Sequence, residues 1–177
     1  MSRKIVITLF LIAAITGSAA AQDAQLKQFA QGYKWGVNLG AEMNMNSGNH
    51  HELHNNAALG FGARIGGEYN INDMFAAGLN LNFSFSDFFA FEAAGFFRAY
   101  LFRGLPDLSG FLMNIFAQAD LGVWTGTDSH SEAVKFLGGG SLGMRLPLPG
   151  DFYIEPYARF GYPFLAGGGV TAGYLYR

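Results

Sequence analysis

Between Leu79 and Ser86 apolar and polar residues alternate without a break: Leu79, Leu81, Phe83 and Phe85 on one parity, Asn80, Asn82, Ser84 and Ser86 on the other. A period of two marks a β-strand with one oily and one polar face. The charges obey the same phase. Wherever two fall in one strand-like stretch they lie an even number of residues apart: Lys34 and Glu42, Arg64 and Glu68, Glu92 and Arg98, Lys135 and Arg145, Glu155 and Arg159. Five such coincidences have a chance of roughly 1 in 32 if each spacing were random against a period of two. The opposite parity is apolar almost throughout. In water that surface would aggregate, whereas a lipid-facing barrel wall requires it. The pattern predicts a small transmembrane β-barrel.

Composition narrows the alternatives. With 14% charged and 16% aromatic residues and 25 glycines in 177, the chain is too apolar for disorder and too glycine-rich for a helical bundle. A net charge of −2 offers no basic surface, so nucleic acid is not an expected partner. The absence of cysteine removes disulfide frameworks, thiolate metal sites and thiol nucleophiles. No cofactor is expected. At the start, Arg3 and Lys4 precede an apolar run from Ile5 to Ile15, and Ala19, Ala20 and Ala21 precede Gln22. This is the layout of a cleaved secretory signal peptide, too short to span a bilayer. The expected organisation is a signal peptide over 1–21 and an outer-membrane barrel over 22–177, with 22–32 a short periplasmic lead.

Eight strands are predicted, at 33–44, 57–70, 74–86, 88–102, 111–124, 133–146, 152–164 and 169–177, an all-β, antiparallel up-and-down barrel. Each has the roughly 9–11 residues that a tilted membrane strand needs. Asn72-Asp73, Gly104 to Gly110 and Pro149-Gly150-Asp151 are turn chemistry. An even strand count puts both termini on the side of those turns, the periplasm. Asn46 to Asn56, Ser86-Asp87, Gly126 to Glu132 and Ala166 to Gly169 then face outward.

With the charged parity inward, the lipid face runs through Trp35, Val37, Leu39, Ala41 and Met43, then Leu59, Phe61, Ile65 and Tyr69. It continues through Phe89, Phe91, Phe97, Met113, Ile115, Leu121, Val123, Phe136, Leu142, Ile154 and Phe160. Trp35, Tyr69, Phe152, Tyr174 and Tyr176 fall near periplasmic strand ends as an aromatic girdle. A soluble barrel with a greasy calyx would invert this arrangement.

The parity pattern and the closing stretches Glu155-Pro156-Tyr157-Ala158-Arg159-Phe160-Gly161-Tyr162 and Thr171-Ala172-Gly173-Tyr174-Leu175-Tyr176 resemble the small eight-stranded bacterial outer-membrane barrels, the group of the OmpA transmembrane domain, OmpX and OmpW. The resemblance implies outer-membrane lipid and the outer-membrane insertion machinery as partners. That machinery reads a terminal aromatic residue in the family; here Tyr174 and Tyr176 are followed by Arg177.

Three constellations are candidate sites. The lumen is expected to hold Lys34, Arg64, Arg98, Lys135, Arg145, Arg159 and Arg177 against Glu42, Glu68, Glu92, Asp120 and Glu155. An eight-stranded interior is only wide enough to be filled by side chains, and an unpaired buried ion is costly, so these charges must neutralise one another. Phe96, Tyr100, Phe116, Trp124, Tyr153 and Tyr157 add bulk, while Gly36, Gly40, Gly60, Gly62, Gly66, Gly139 and Gly143 leave volume for a passage. In the first outer loop His50, His51 and His54 offer imidazoles to a transition metal, with Glu52 as a further ligand. Asp128-Ser129-His130 holds the residue types of a hydrolase triad, but sequence neighbours point apart. The favoured reading is a non-enzymatic barrel with surface loops for contacts to host or neighbouring partners. Its rivals are a narrow OmpW-like channel for small or hydrophobic solutes and, more remotely, a membrane-embedded lipid-modifying enzyme.

Overall fold

The computed structural model describes residues 32–46, 59–85, 89–103, 105, 112–127 and 132–177. The signal-peptide reading of 1–21, most of the 22–32 lead, the histidine loop and Asp128-Ser129-His130 lie outside them. Strands β1 (Trp35–Asn46), β2 (Leu59–Asn70), β3 (Phe75–Phe85), β4 (Phe89–Tyr100), β5 (Ile115–Thr127), β6 (Glu132–Met144), β8 (Phe152–Tyr162) and β9 (Phe164–Tyr176) are the eight staves. β7 (Leu146–Pro147) continues the β6 stave past Arg145. Each stave pairs antiparallel with its sequence neighbour, β6 pairs with β8, and β1 pairs with β9, so the sheet closes on itself.

The register sets the barrel's shape. From Asn44 the row of cross-strand partners runs through Gly167, Arg159, Ser141, Gln118, Arg98, Ala76 and Asn70. The Asn70 amide then donates to the Lys34 carbonyl. One circuit therefore returns to β1 at Lys34 instead of Asn44, a stagger of ten residues. With about 3.3 Å of rise per residue and about 4.8 Å between strands, that stagger tilts the staves by about 40°. Each step of one strand along a row thus climbs the barrel axis by about 3 Å, which brings residues distant in sequence to one height.

Burial is inverted relative to a water-soluble protein. Among the described residues 18 polar or charged residues are buried against 14 apolar ones, while Leu79 (68%), Val134 (74%), Phe136 (64%) and Leu121 (64%) are among the most exposed. The polar face of each strand is the lumen, and the greasy-calyx alternative is excluded for this fold. Aromatic contacts on the outer wall gather at the strand ends. Trp35 and Tyr69 (4.7 Å), Phe152 and Tyr174 (4.9 Å) and Tyr174 and Tyr176 (4.7 Å) ring the terminal end, and Phe85 and Phe89 (5.2 Å) lie at the other.

Several boundaries differ from the sequence reading. Residues 112–114 form a 3-10 turn that buries Met113, so this side chain is not on the outer wall. Ala166 to Gly169 are not a connection but part of β9, paired with Met45 to Glu42. The β8–β9 turn sits earlier, at the cis Tyr162–Pro163 bond. A glycine-rich run carries turn composition, yet here its missing side chains are what lets β9 lie under lumenal neighbours.

Several lumenal glycines lie under aromatic rings. A Cβ on Gly143 would strike the Phe116 ring, on Gly78 that of Phe96, on Gly173 that of Tyr153, and on Gly169 the Tyr157 hydroxyl. Gly139 and Gly161 together underlie Phe164. Each large ring thus occupies the space its cross-strand glycine gives up. Gly173→Ala should destabilise the barrel by about 1–3 kcal/mol, the cost of overpacking, and Tyr153→Leu in the same chain should recover part of the loss. Urea unfolding of the single and double variants reads this coupling.

Candidate functional site in the barrel lumen

Two ion-pair clusters occupy the lumen at different heights. Nearer the terminal end, Arg98 from β4 and Arg145 from the β6–β7 break each bridge Glu68 of β2 and Glu155 of β8. Arg98 meets Glu68 at 3.0 Å and Glu155 at 2.8 Å; Arg145 meets Glu68 at 2.5 Å and Glu155 at 2.8 Å. Charges alternate around this closed ring of four. Gln118 accepts from the Arg98 Nε and Nη2 and donates to Asp120 at 2.7 Å, and Asp120 also accepts from the Ser141 hydroxyl. Both guanidiniums stack on rings, Arg98 at 3.9 Å over Phe116 and Arg145 at 4.1 Å over Tyr153.

Higher up, Arg159 of β8 joins Glu42 of β1 and Glu92 of β4, each at 2.8 Å. Asn44 and the Tyr157 hydroxyl donate to Glu42, and Asn82 donates to Glu92. Arg64 is buried beside this cluster, its guanidinium 4.6 Å from the centre of the Tyr157 ring. Apolar layers lie beyond both clusters. Tyr153 and Leu175 with Tyr33 occupy the terminal end, and Trp124, Leu137 and Phe164 with Ala90, Ala94 and Ala133 the loop end.

Of the residues assigned to the lumen by phase, Glu42, Arg64, Glu68, Glu92, Arg98, Asp120, Arg145, Glu155 and Arg159 are all buried. Lys34 is exposed, because β1 begins one residue later and leaves it at the mouth. Arg177 is exposed too, over the Tyr33 ring. Lys135 is half-buried against Trp124 near the loop end. The buried count is therefore four arginines to five acids, not seven cations to five. Glu92 and Arg98 share a strand but find different partners, since six residues separate them by about 20 Å. The sequence reading missed Asn44, Asn82, Gln118 and Ser141 as members; their inward parity was the available signal.

Where the chain enters and leaves the barrel, the Tyr33 hydroxyl donates to the Asp151 carboxylate at 2.5 Å. Asp151 sits at φ 66° after Gly150 at φ 78°, and its carbonyl accepts from the Leu175 amide. This ties the lead, the β7–β8 turn and β9 together. Partial burial, then the Asp151 hydrogen bond, raise the Tyr33 pKa above its ordinary 10.0.

No family model and no curated protein matches the sequence. Solved structures do. The N-terminal β-barrel domain of Pseudomonas aeruginosa OprF superposes with a TM-score of 0.53 at 11% identity, covering 82% of this chain and 100% of that one. Neisserial surface protein A superposes at 0.50 with 15% identity, covering 80% and 93%. The fold is that of the small eight-stranded outer-membrane barrels.

Removing one charge from the four-membered ring, as in Glu155→Gln, should cost about 3–5 kcal/mol because its partners stay buried. Arg98→Met with Glu155→Gln should lose less than the two single losses together. A folding titration in detergent or lipid measures both. At the mouth, the raised pKa means the Tyr33 contribution is whole below pH 10 and fades as pH climbs through the folded value. The stability difference between the native chain and Tyr33→Phe should therefore shrink between pH 8 and pH 11.

Proposed function

We propose that this protein is a non-enzymatic integral barrel of a bacterial outer membrane, delivered there by a cleaved signal peptide and the outer-membrane insertion machinery. Its segments 46–56 and 126–132 are the surface for contacts with host, neighbouring cell or membrane partners. The reading is carried by one observation: two interlocked ion-pair clusters stand in series between apolar layers across the lumen. A side-chain plug of this kind favours display over transport. The outward apolar wall matches lipid in the same way that the lumen matches ion pairs.

Planar-bilayer recording on refolded protein is the deciding experiment. No steady conductance is expected; a sustained ohmic current at low voltage would instead establish the narrow-channel reading. An epitope tag after Ser47 should be accessible on intact cells, and one within 104–110 only after the membrane is opened. Leu121→Arg, on the outer wall, should cost about 2–4 kcal/mol of folding in lipid vesicles, with Leu121→Ala far milder.

A further inference from the structure

Arg64 is the one buried arginine with no carboxylate within 4.0 Å among the described residues. Its exposure is 5%, and its described partner is Tyr157, through the ring face and a side-chain hydrogen bond to the hydroxyl. A guanidinium has five N–H donors and no acceptor. Around it lie acceptors without partners. Asn38 (7% exposed), Asn80 (3%), Asn82 (4%) and Thr171 (1%) keep a side-chain oxygen without a hydrogen-bond partner, and Asn80 its amide nitrogen as well. These residues are contiguous on one wall. Asn38, Gly66 and Asn80 form one cross-strand row, Gly40, Arg64 and Asn82 the next, and Thr171 pairs with Gly40. A Cβ on Gly66 would stand 2.6 Å from the Asn80 Oδ1 and 2.7 Å from the Asn38 Oδ1. Those two oxygens are thus at most about 5.3 Å apart, close enough for one molecule to donate to both.

Local charge decides what fits. Glu42 and Glu92 share Arg159, leaving one surplus negative charge that the Arg64 cation offsets without touching it. An anion would add to the surplus of acids over arginines among the described buried residues, and the unpartnered groups of this wall are uncharged amides and a hydroxyl. We infer that the wall formed by β9, β1, β2 and β3 carries a buried site for a small uncharged molecule that both donates and accepts hydrogen bonds. Water is the smallest member of that class and simple amides are the next. Such a ligand accepts from the Asn80 amide nitrogen or from an Arg64 N–H not taken by Tyr157, and donates to Asn38, Asn80 and Thr171.

The test is side-chain NMR of the refolded, isotope-labelled full barrel in detergent micelles. Long-lived water cross-peaks are expected at the Asn38 and Asn80 carboxamides and at the Arg64 Nε–H. Formamide is then titrated. Saturable shifts of those three signals, with loss of the water cross-peaks, extend the site to amides; unmoved signals with intact water cross-peaks assign it to water. Gly66→Ala places a methyl between the two oxygens and should abolish both responses. If that variant fails to refold, Thr171→Val removes one acceptor at nearly constant shape and should weaken them. Three results would overturn the inference: no water cross-peak and no formamide shift at any of the three groups, a chloride-dependent shift of Arg64, or a higher urea midpoint for Asn80→Leu, the signature of a dry, unpartnered amide.

Discussion

Closing eight tilted staves with a stagger of ten residues leaves an interior that side chains must fill, and the polar parity sends charges there. Everything else follows from how those charges are neutralised. A buried guanidinium gains most from carboxylates at short range, and the tilt supplies them to Arg98, Arg145 and Arg159 from strands far apart in sequence. Glu68, Arg98, Arg145 and Glu155 come from four staves and reach one another only because each step around the barrel climbs its axis. The result is a clamp that pulls opposite walls together.

Volume is matched by a second device. The rings of Phe116, Tyr153, Tyr157 and Phe164 each lie over a glycine of a neighbouring strand. Rings and guanidiniums then stack on each other, Arg159 at 3.8 Å over Phe164 and Arg98 over Phe116. Glycine, aromatic residue and ion pair are therefore one packing system. The outer wall is simpler, since lipid asks for apolar surface rather than for complementary shape.

Much of this is legible in the residues alone. The strand count, the inward and outward faces and nine of the buried charges follow from parity, because a period of two is a property of the backbone itself. Strand ends are less legible. The Ala166 to Gly169 run reads as a turn because glycine serves both turns and close packing, and only the partner strand tells which. Lys34, one residue before β1, shows how a correct parity misplaces a side chain once the strand stops.

Partnership is what parity cannot supply. Even spacing between Glu92 and Arg98 marks a shared face, but two residues six apart on an extended strand cannot touch. The amino-acid order by itself determines an alternating, charge-inward, eight-stranded barrel wall. Which acid meets which arginine, which glycine lies under which ring, and where Arg64 is left beside unpartnered amides are decided by register and stagger, because lumenal neighbours are set by height around a tilted cylinder and not by distance along the chain.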